Sequence, residues 1–139
     1  MTGIVIDASV ALAWCFPDEA SDYADDILVA LEGHPILVPT LWPIEITNAL
    51  LVAERRKRIK QSAIRQFVEL LNGLTVVMTS QSVTESVSNI LPLAREYSLS
   101  AYDAAYLDVA LRHGAPLATL DNNLQKAGRQ AGIEIFSRS

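Results

Sequence analysis

Cysteine is nearly absent from this sequence, whose 139 residues include only Cys15. The single thiol excludes an internal disulfide framework and a cysteine-rich zinc site. Glycine and proline number six each and no segment is of low complexity, which excludes disordered, collagen-like and solenoid chains. No apolar run reaches the roughly 18 residues of a membrane-spanning helix. We therefore expect a globular protein that does not enter a membrane.

Targeting signals and nucleotide-binding motifs are missing as well. Residues 1–7 carry no basic flank and reach Asp7 at once, so we expect no signal peptide and a cytoplasmic location. A P-loop and a GxGxxG turn are both absent, so the sequence lacks the phosphate-binding loops of the common nucleotide-binding folds. The two histidines are His34, in a predicted turn, and His113, at the end of a predicted helix, and neither is placed to bind a metal.

What is present is enough apolar sequence for one folded domain. Half of the residues are hydrophobic, and a chain of this length buries about two-thirds of the surface that it exposes when unfolded. The length matches a single domain, which we predict to extend over residues 1–139.

The charge balance is acidic, with sixteen acidic residues, eleven basic residues and a net charge of −5. A protein that coats nucleic acid without regard to sequence should instead be basic. Five of the basic residues lie in one run over 55–60. That run could contact a phosphate backbone, or it could be a solvated helix end whose charge complements the helix dipole.

Short apolar runs alternate with helical patterns along the chain. The runs are too short for helices and lack strict alternation, which is typical of strands buried on both faces. The predicted strands are 3–6, 36–38, 74–78, 116–120 and 133–136. Helical spacing of apolar residues fills the intervals, with Ser62 and Ser100 as predicted N-caps and Pro92 as a predicted kink or break. The alternation predicts an α/β domain with a parallel sheet and right-handed crossovers.

Four acidic residues follow predicted strands or open predicted helices. Asp7 and Asp121 come directly after the first and fourth strands, and Glu45 and Asp103 lie in the first turns of two helices. The carboxyl ends of parallel strands share one edge of a sheet, where ligands of such folds bind. Taken singly, each residue could be a helix cap or a partner of the helix dipole, and Ser100 with Asp103 has the spacing of a capping box. Together they predict four carboxylates at one edge.

Four carboxylates in one pocket repel each other, so they must bind protons or hard cations. Ligation by oxygen atoms and water suits Mg²⁺ or Mn²⁺ better than Zn²⁺. A site loaded with cations would attract a phosphate, which makes the acidic net charge compatible with a polyanionic substrate. The sequence offers no Ser-His-Asp or Cys-His set for nucleophilic catalysis.

At the same acidic positions the sequence resembles a known family. Residues 4–9 (IVIDAS), 43–45 (PIE), 102–107 (YDAAYL) and 118–121 (ATLD) are similar to the signature segments of PIN-domain ribonucleases. In size, and in the absence of appended domains, the chain is most similar to the VapC-type toxins of bacterial and archaeal toxin–antitoxin pairs. The resemblance covers essentially the whole chain.

The resemblance implies a three-layer α/β/α domain with a five-stranded parallel sheet in the order 3-2-1-4-5. It implies metal-dependent endonucleolytic cleavage of RNA, with Mg²⁺ or Mn²⁺ held by Asp7, Glu45, Asp103 and Asp121. It also implies a homodimer and a small VapB-like antitoxin protein that keeps the enzyme inactive. The alternative is a catalytically silent PIN-like module that binds RNA or another protein, in which we would expect one of the acidic positions to be missing.

Two hydroxyl side chains flank the predicted site. Ser9 and Thr119 could bind the substrate by holding water, metal or phosphate. They could instead be a helix cap and an ordinary strand residue. The sequence leaves both interpretations open.

Aromatic residues near the predicted site also allow two interpretations. Trp14 and Phe16 could belong to the core, or they could line a groove for an antitoxin helix. Tyr102 and Tyr106 could stack on bases or pack in the core or a dimer interface. Asp108, further along the same helix, is predicted to lie on the helix surface.

Overall fold

Four parallel strands form the sheet of this protein, whose computed structural model describes residues 3–19 and 21–136. Their order in the sheet is β3-β2-β1-β4, and each neighbouring pair runs parallel. The strands are β1 (Ile4–Ile6), β2 (Ile36–Pro39), β3 (Val76–Thr79) and β4 (Leu117–Ala118). The predicted α/β class, the parallel pairing and the order of the first four strands are confirmed.

The fifth predicted strand, 133–136, forms a single bridge instead of a strand. Ile135 pairs in parallel with Leu117. The N–H of Leu117 donates to the carbonyl of Glu134 at 2.9 Å, and the N–H of Phe136 donates to the carbonyl of Leu117 at the same distance. The segment therefore lies beside β4, where the order 3-2-1-4-5 puts it. Because β4 has only two residues, the segment can pair with it at one position only. The predicted five-stranded sheet is therefore a four-stranded sheet with one further bridge.

Helices connect the strands and form two groups. In the described residues these are α1 (Ala8–Cys15), a 3₁₀ turn (Pro17–Glu19), α2 (Asp22–Ala30), α3 (Trp42–Arg55), α4 (Gln61–Asn72), α5 (Val83–Tyr97), α6 (Ala101–His113) and α7 (Asn122–Gln130). The first group is α1 with α2, α3 and α4, and the second is α6 with α5 and α7. Helix α6 also packs on β1, β2 and β4. None of the helices described is both long enough and apolar enough to span a membrane.

Two helix predictions differ from the structure. Helix α4 begins with Lys60 at its N-cap, so Ser62 lies inside the first turn and does not cap it. Pro92 lies within α5 and does not split it. The proline is exposed, so water can satisfy the carbonyl that lacks its N–H partner. The predicted cap of α6 is correct, because the Ser100 hydroxyl accepts the N–H of Asp103 at 3.1 Å.

The aromatic residues at the end of α1 pack against the core, with Trp14 partly buried and Phe16, directly after the helix, buried. Phe16 is 4% exposed and packs with Ala53 and Ile59, and the guanidinium of Arg58 lies 4.9 Å from the centre of its ring. The indole N–H of Trp14 donates to a backbone carbonyl of α2 at 2.9 Å. Of the two interpretations of these residues, the structure favours core packing.

Part of the basic run over 55–60 pairs with acidic residues of the same protein. Arg58 lies 2.8 Å from Asp18 and 3.9 Å from Glu19, two residues of the 3₁₀ turn. All three side chains are substantially exposed, so the ion pairs contribute about 1 kcal/mol or less to stability. Arg58 therefore joins the end of α3 to the 3₁₀ turn.

Candidate active site

The centre of the sheet places Asp7 beside Thr119. Strand β1 is fully buried, and Val5 and Ile6 pair in register with Leu117 and Ala118 of β4. The residues that follow the two strands, Asp7 and Thr119, therefore emerge side by side at the carboxyl edge. The N–H of Asp7 donates to the carbonyl of Ala118 at 3.3 Å and continues the ladder to this point.

The Asp7 carboxylate is buried and held by hydroxyl groups. It is 5% exposed, it accepts the hydroxyl of Ser9 at 2.5 Å and that of Thr119, and it accepts the N–H of Val10 at 3.4 Å as the N-cap of α1. Burial raises the pKa of Asp7 to about 6, the hydrogen bonds oppose this rise, and the negative charge of Asp103 adds to it. The carboxylate is thus placed where its ionised form is costly.

Asp103 and Asp121 lie at the same edge of the sheet. Asp103 is in the first turn of α6, and Asp121 is the residue that precedes α7. Asp103 is half-buried, and its pKa is raised first by burial and then by the negative charge of Asp121. Asp121 is the N-cap of α7, where it accepts the N–H groups of Asn123 at 2.8 Å and Leu124 at 3.0 Å. The cap explains part of the role of Asp121, but the repulsion between the two carboxylates remains uncompensated.

Glu45, in the first turn of α3, is joined to this group through a tyrosine. The hydroxyl of Tyr106 donates to Glu45 at 2.6 Å, and the Tyr106 side chain is 1% exposed. Burial, the bond to Glu45 and the negative charges of Glu45, Asp7 and Asp103 all raise the pKa of Tyr106 above its usual range. Tyr106 therefore lies within electrostatic range of three of the four acidic residues, and it packs in the core. Tyr102, by contrast, is 65% exposed.

Comparison with known families decides what kind of domain this is. The model of the PIN domain matches residues 4–130, an interval that contains all four acidic residues. The chain belongs to the PIN-domain family. The family predicted from four short sequence segments is thereby confirmed.

Known relatives share this PIN domain over most of their length. Ribonuclease VapC3 of Pyrobaculum aerophilum is 30% identical over 122 residues, which are 87% of this chain and 91% of the relative. The crystal structure of PAE2754 from Pyrobaculum aerophilum has a TM-score of 0.68 at 25% identity and covers 91% of this chain and 86% of that one. The crystal structure of FitAcB from Neisseria gonorrhoeae has a TM-score of 0.59 at 17% identity over 96% of both chains, a likeness of fold.

The acidic groups of this PIN domain interact in pairs. Over residues 3–19 and 21–136, no three His, Cys, Asp or Glu side chains form a ready-made metal-binding group. Asp7 is within electrostatic range of Asp103, and Asp103 of Asp121. Among the described residues that shift the pKa of Asp7 or Asp103, none is basic. An all-oxygen donor set without a protein counter-ion fits a hard divalent cation such as Mg²⁺ or Mn²⁺.

Three residues around the site were not recognised from the sequence. The sequence allows base stacking, core packing or dimer packing for Tyr106, and nothing in it pairs Tyr106 with Glu45. Tyr23 lies close enough that the charge of Asp7, after burial, raises its pKa. Asp108 was expected on the surface of α6 but is 4% exposed, because α6 is covered on nearly all sides from residue 104 to 110. The low amphipathicity of the α6 sequence was the one available signal for this burial.

Proposed function

We propose that this PIN-domain protein is a metal-dependent endoribonuclease that hydrolyses RNA phosphodiester bonds and acts as the toxin of a toxin–antitoxin pair. The observation that carries the proposal is the acidic edge of the sheet, where the charge of Asp103 acts on Asp7 and that of Asp121 acts on Asp103. Among the described residues, no basic group contributes to the pKa shift of Asp7 or Asp103. The name of the relative Ribonuclease VapC3 supports RNA as the substrate class.

Asp7, Glu45, Asp103 and Asp121 are the residues that would hold Mg²⁺ or Mn²⁺. When bound, the cation would supply positive charge for the phosphate, and it would lower the pKa of water so that water can lose a proton and attack near neutral pH. Burial, with the neighbouring negative charges adding to it, raises the pKa of Asp7 and of Asp103. This supports the assignment, because a bound cation would favour the ionised form of both carboxyl groups.

Ser9 and Thr119 position Asp7 in this proposal. Ser9 donates to one carboxylate oxygen and accepts the N–H of Leu120 at 3.1 Å, while Thr119 donates to the other oxygen and accepts the N–H of Asp121 at 3.0 Å. Their hydroxyl protons are therefore used within the protein. Substrate binding by donation to a phosphate, one of the two roles that the sequence left open, would require either residue to give up its bond to Asp7.

Tyr106 fixes Glu45 in the same way. Its phenol stays protonated because its pKa is raised, so it remains a donor to the Glu45 carboxylate throughout the neutral range. Asp121 is held by the backbone N–H groups of Asn123 and Leu124, which it caps at the start of α7. Hydrogen bonds thus fix three of the four acidic side chains, those of Asp7, Glu45 and Asp121.

Mapping RNA ends tests the proposed activity. The wild type and Asp103→Asn are induced briefly in bacteria, and the new 5′ and 3′ ends of cellular RNA are sequenced. We expect discrete cuts in the wild-type sample only, because the variant lacks one charge of the proposed metal site. Equal sets of ends in the two samples would refute the assignment of the site, and no new ends in either would refute the ribonuclease.

Growth of the same cultures tests the toxin role. Expression of the wild type alone should slow growth, whereas Asp103→Asn at the same soluble level should not. Co-expression of the neighbouring reading frame from the source genome should restore growth, because the proposed antitoxin blocks the enzyme. Unimpaired growth with abundant soluble and active wild-type protein would contradict the toxin role but not the nuclease.

A second copy of the chain is the other partner that we propose. Val83, Val87 and Leu91 form the α5 stripe, three side chains at helical spacing that are 83%, 56% and 43% exposed. Such a row of apolar residues on one face supports self-association. The stripe belongs to a helix with no fully buried residue among those described.

Substitution within the α5 stripe should dissociate this dimer. We expect Val87→Glu to shift the mass measured by light scattering from dimer to monomer, because it places a charge in an apolar contact. Ser88→Glu adds the same charge one residue away, outside the stripe, and should stay dimeric. A wild-type monomer, or a Val87→Glu dimer as stable as the wild type, would contradict this surface.

A further inference from the structure

A cavity of about 290 Å³ lies at the carboxyl edge of the sheet, apart from the four acidic residues. Its walls come from the segments that follow β2 and β3 and from helices α5 and α6. The polar part of its lining includes Thr40, Ser80, Gln81, Ser86 and Arg112. The volume is at the lower limit of small-molecule pockets, about 300–1,000 Å³, so the cavity suits a small ligand group.

A buried carboxylate organises the polar side of this cavity. Asp108 accepts the Nε–H of Arg112 at 2.9 Å and an amide N–H of Gln81 at 2.8 Å, both on its Oδ2 atom. The Gln81 amide oxygen accepts in turn from Asn89 at 2.8 Å. Asp108 is 4% exposed, and nothing in the mechanism proposed above uses it. The network therefore fixes two side chains that line the cavity.

Arg112 keeps donors available after this network is satisfied. Only its Nε–H bonds to Asp108, its side chain is 31% exposed, and among residues 3–19 and 21–136 no hydrogen bond of its terminal amino groups is found. An arginine held by its Nε presents two coplanar N–H groups in a fixed direction. This geometry matches two acceptor atoms on the edge of a planar ligand.

A nucleobase has the chemistry that this cavity would recognise. Guanine presents two adjacent acceptors, O6 and N7, to which arginine donates in the commonest specific contact with a base. The hydroxyls of Thr40, Ser80 and Ser86 can donate or accept along a base edge, and Leu41, Ile90 and Val109 supply apolar wall. Because Asp108 already balances the charge of Arg112, the site suits a neutral base better than a phosphate.

The cavity lies within reach of the proposed site of cleavage. Asp7 follows β1, and the cavity opens beyond the ends of the two next strands of the sheet, β2 and β3. Neighbouring strands are about 4.8 Å apart, so the ends of β2 and β3 lie roughly 5 and 10 Å along the edge from the end of β1. A base close to the bond that is cut can span this distance when the RNA is single-stranded and the base is unstacked.

We propose that this cavity binds one unstacked guanine of the RNA substrate and that Arg112, positioned by Asp108, makes the enzyme prefer that base near the cut. The inference rests on the ribonuclease activity proposed above. It adds a source of specificity that the acidic edge lacks, because carboxylates and a cation bind the phosphate, which carries no sequence information.

Cleavage of a randomised single-stranded RNA library tests this inference. The purified full-length wild type, Arg112→Lys and Arg95→Lys are each incubated with the library, and the products are sequenced. We expect the wild type to favour guanosine about tenfold or more at one position within a few nucleotides of the cut. Arg112→Lys should lose the preference at that position alone, because lysine keeps the charge but not the paired donors. Arg95→Lys, an exposed site on α5, should cleave like the wild type.

A defined RNA makes the result quantitative. The favoured guanosine is replaced by 7-deazaguanosine, which lacks the N7 acceptor, and kcat/KM is compared for the two RNAs. The wild type should lose about tenfold with the analogue, and Arg112→Lys should treat both RNAs alike. Thermal melting of each variant shows whether it is folded. Binding of the same two RNAs to the Asp103→Asn form, alone and combined with Arg112→Lys, should show the same discrimination without cleavage.

The outcomes separate this inference from the proposed function. A wild type that cuts RNA with no guanosine preference near the cut, or a folded Arg112→Lys that keeps the preference, overturns the base site and leaves the ribonuclease intact. A wild type that cuts no RNA under any divalent cation overturns both.

Discussion

Replacing Asp7 by asparagine should abolish RNA cleavage and, without divalent cations, make the protein more stable. Asparagine fills the same space and can still accept a hydroxyl, but it cannot bring a negative charge to the proposed cation. We expect kcat/KM to fall on the order of 10³-fold or more, equivalent to about 4 kcal/mol of barrier. The cation-free protein should gain stability because a buried, unbalanced charge is removed.

The raised pKa of Asp7 gives the sign and the approximate size of the stability that Asp7→Asn should add to the cation-free protein. The folded pKa of Asp7 is about 6, above its ordinary value of 3.8, so the folded state holds more protons than the unfolded state between these values. The stability associated with protonated Asp7 is complete below about pH 3.8 and is lost as the pH rises through 6. At pH 7 the loss is on the order of 3 kcal/mol, from which the weaker hydrogen bonds of asparagine subtract.

Urea unfolding in EDTA, from pH 4 to pH 8, measures this effect. The wild type should lose stability across the window relative to Asp7→Asn, which should exceed it by about 1–3 kcal/mol at pH 7. Asp25→Asn, an exposed aspartate of α2, is the matched control and should change stability by about 0.5 kcal/mol or less and activity not at all. An Asp7→Asn protein with wild-type activity, or one less stable than the wild type at pH 7, would contradict the account of this residue.

Asp103→Asn should abolish cleavage as completely as Asp7→Asn, with a smaller gain in stability. Asp103 is half-buried, and water screens part of the repulsion that it receives from Asp121. The activity loss follows from the proposed metal site, to which Asp103 would contribute one of four charges. Activity is measured on RNA at saturating Mg²⁺ and Mn²⁺, and recovery to wild-type rates with either ion would argue against Asp103 as a ligand.

The two substitutions should also be coupled. The negative charge of Asp103 helps to raise the pKa of Asp7, so removing it lowers that pKa and makes ionised Asp7 less costly. Asp7→Asn should therefore stabilise the Asp103→Asn background less than it stabilises the wild type, with an interaction energy of about 0.5 kcal/mol or more. Asp7→Asn combined with Asp25→Asn should be additive. Additivity of the Asp7 and Asp103 substitutions would place the two carboxylates too far apart for one site.

Much of the sheet was predictable because each strand is marked by a short apolar run, which is a local feature of the sequence. Four apolar runs gave β1 to β4 within about two residues, and Asp7 follows its strand directly, as predicted. The fourth strand is shorter than predicted and ends at Ala118, so Asp121 lies three residues beyond it, at the N-cap of α7. The fifth run failed because strand formation needs a partner of adequate length. Its neighbour β4 has two residues, a limit that the composition of 133–136 does not record.

The contacts of the site were less predictable because they join distant parts of the chain. The bond between Tyr106 and Glu45 spans 61 residues, and that between Thr119 and Asp7 spans 112. Asp108 was misplaced for a related reason: a charged residue in mid-helix is usually exposed, and its burial depends on Arg112 and Gln81 arriving from two directions. Helix spacing reveals the first of these partners, four residues away, but not the second.

The hold on Asp7 depends on the seating of β4. One carboxylate oxygen receives the hydroxyl of Ser9, two residues away, and the other receives that of Thr119, 112 residues away, which follows β4. Local opening of β4 would therefore remove one of these donors while β1 and α1 stay folded. Partial unfolding at this one edge would loosen the carboxylate before the rest of the domain is lost.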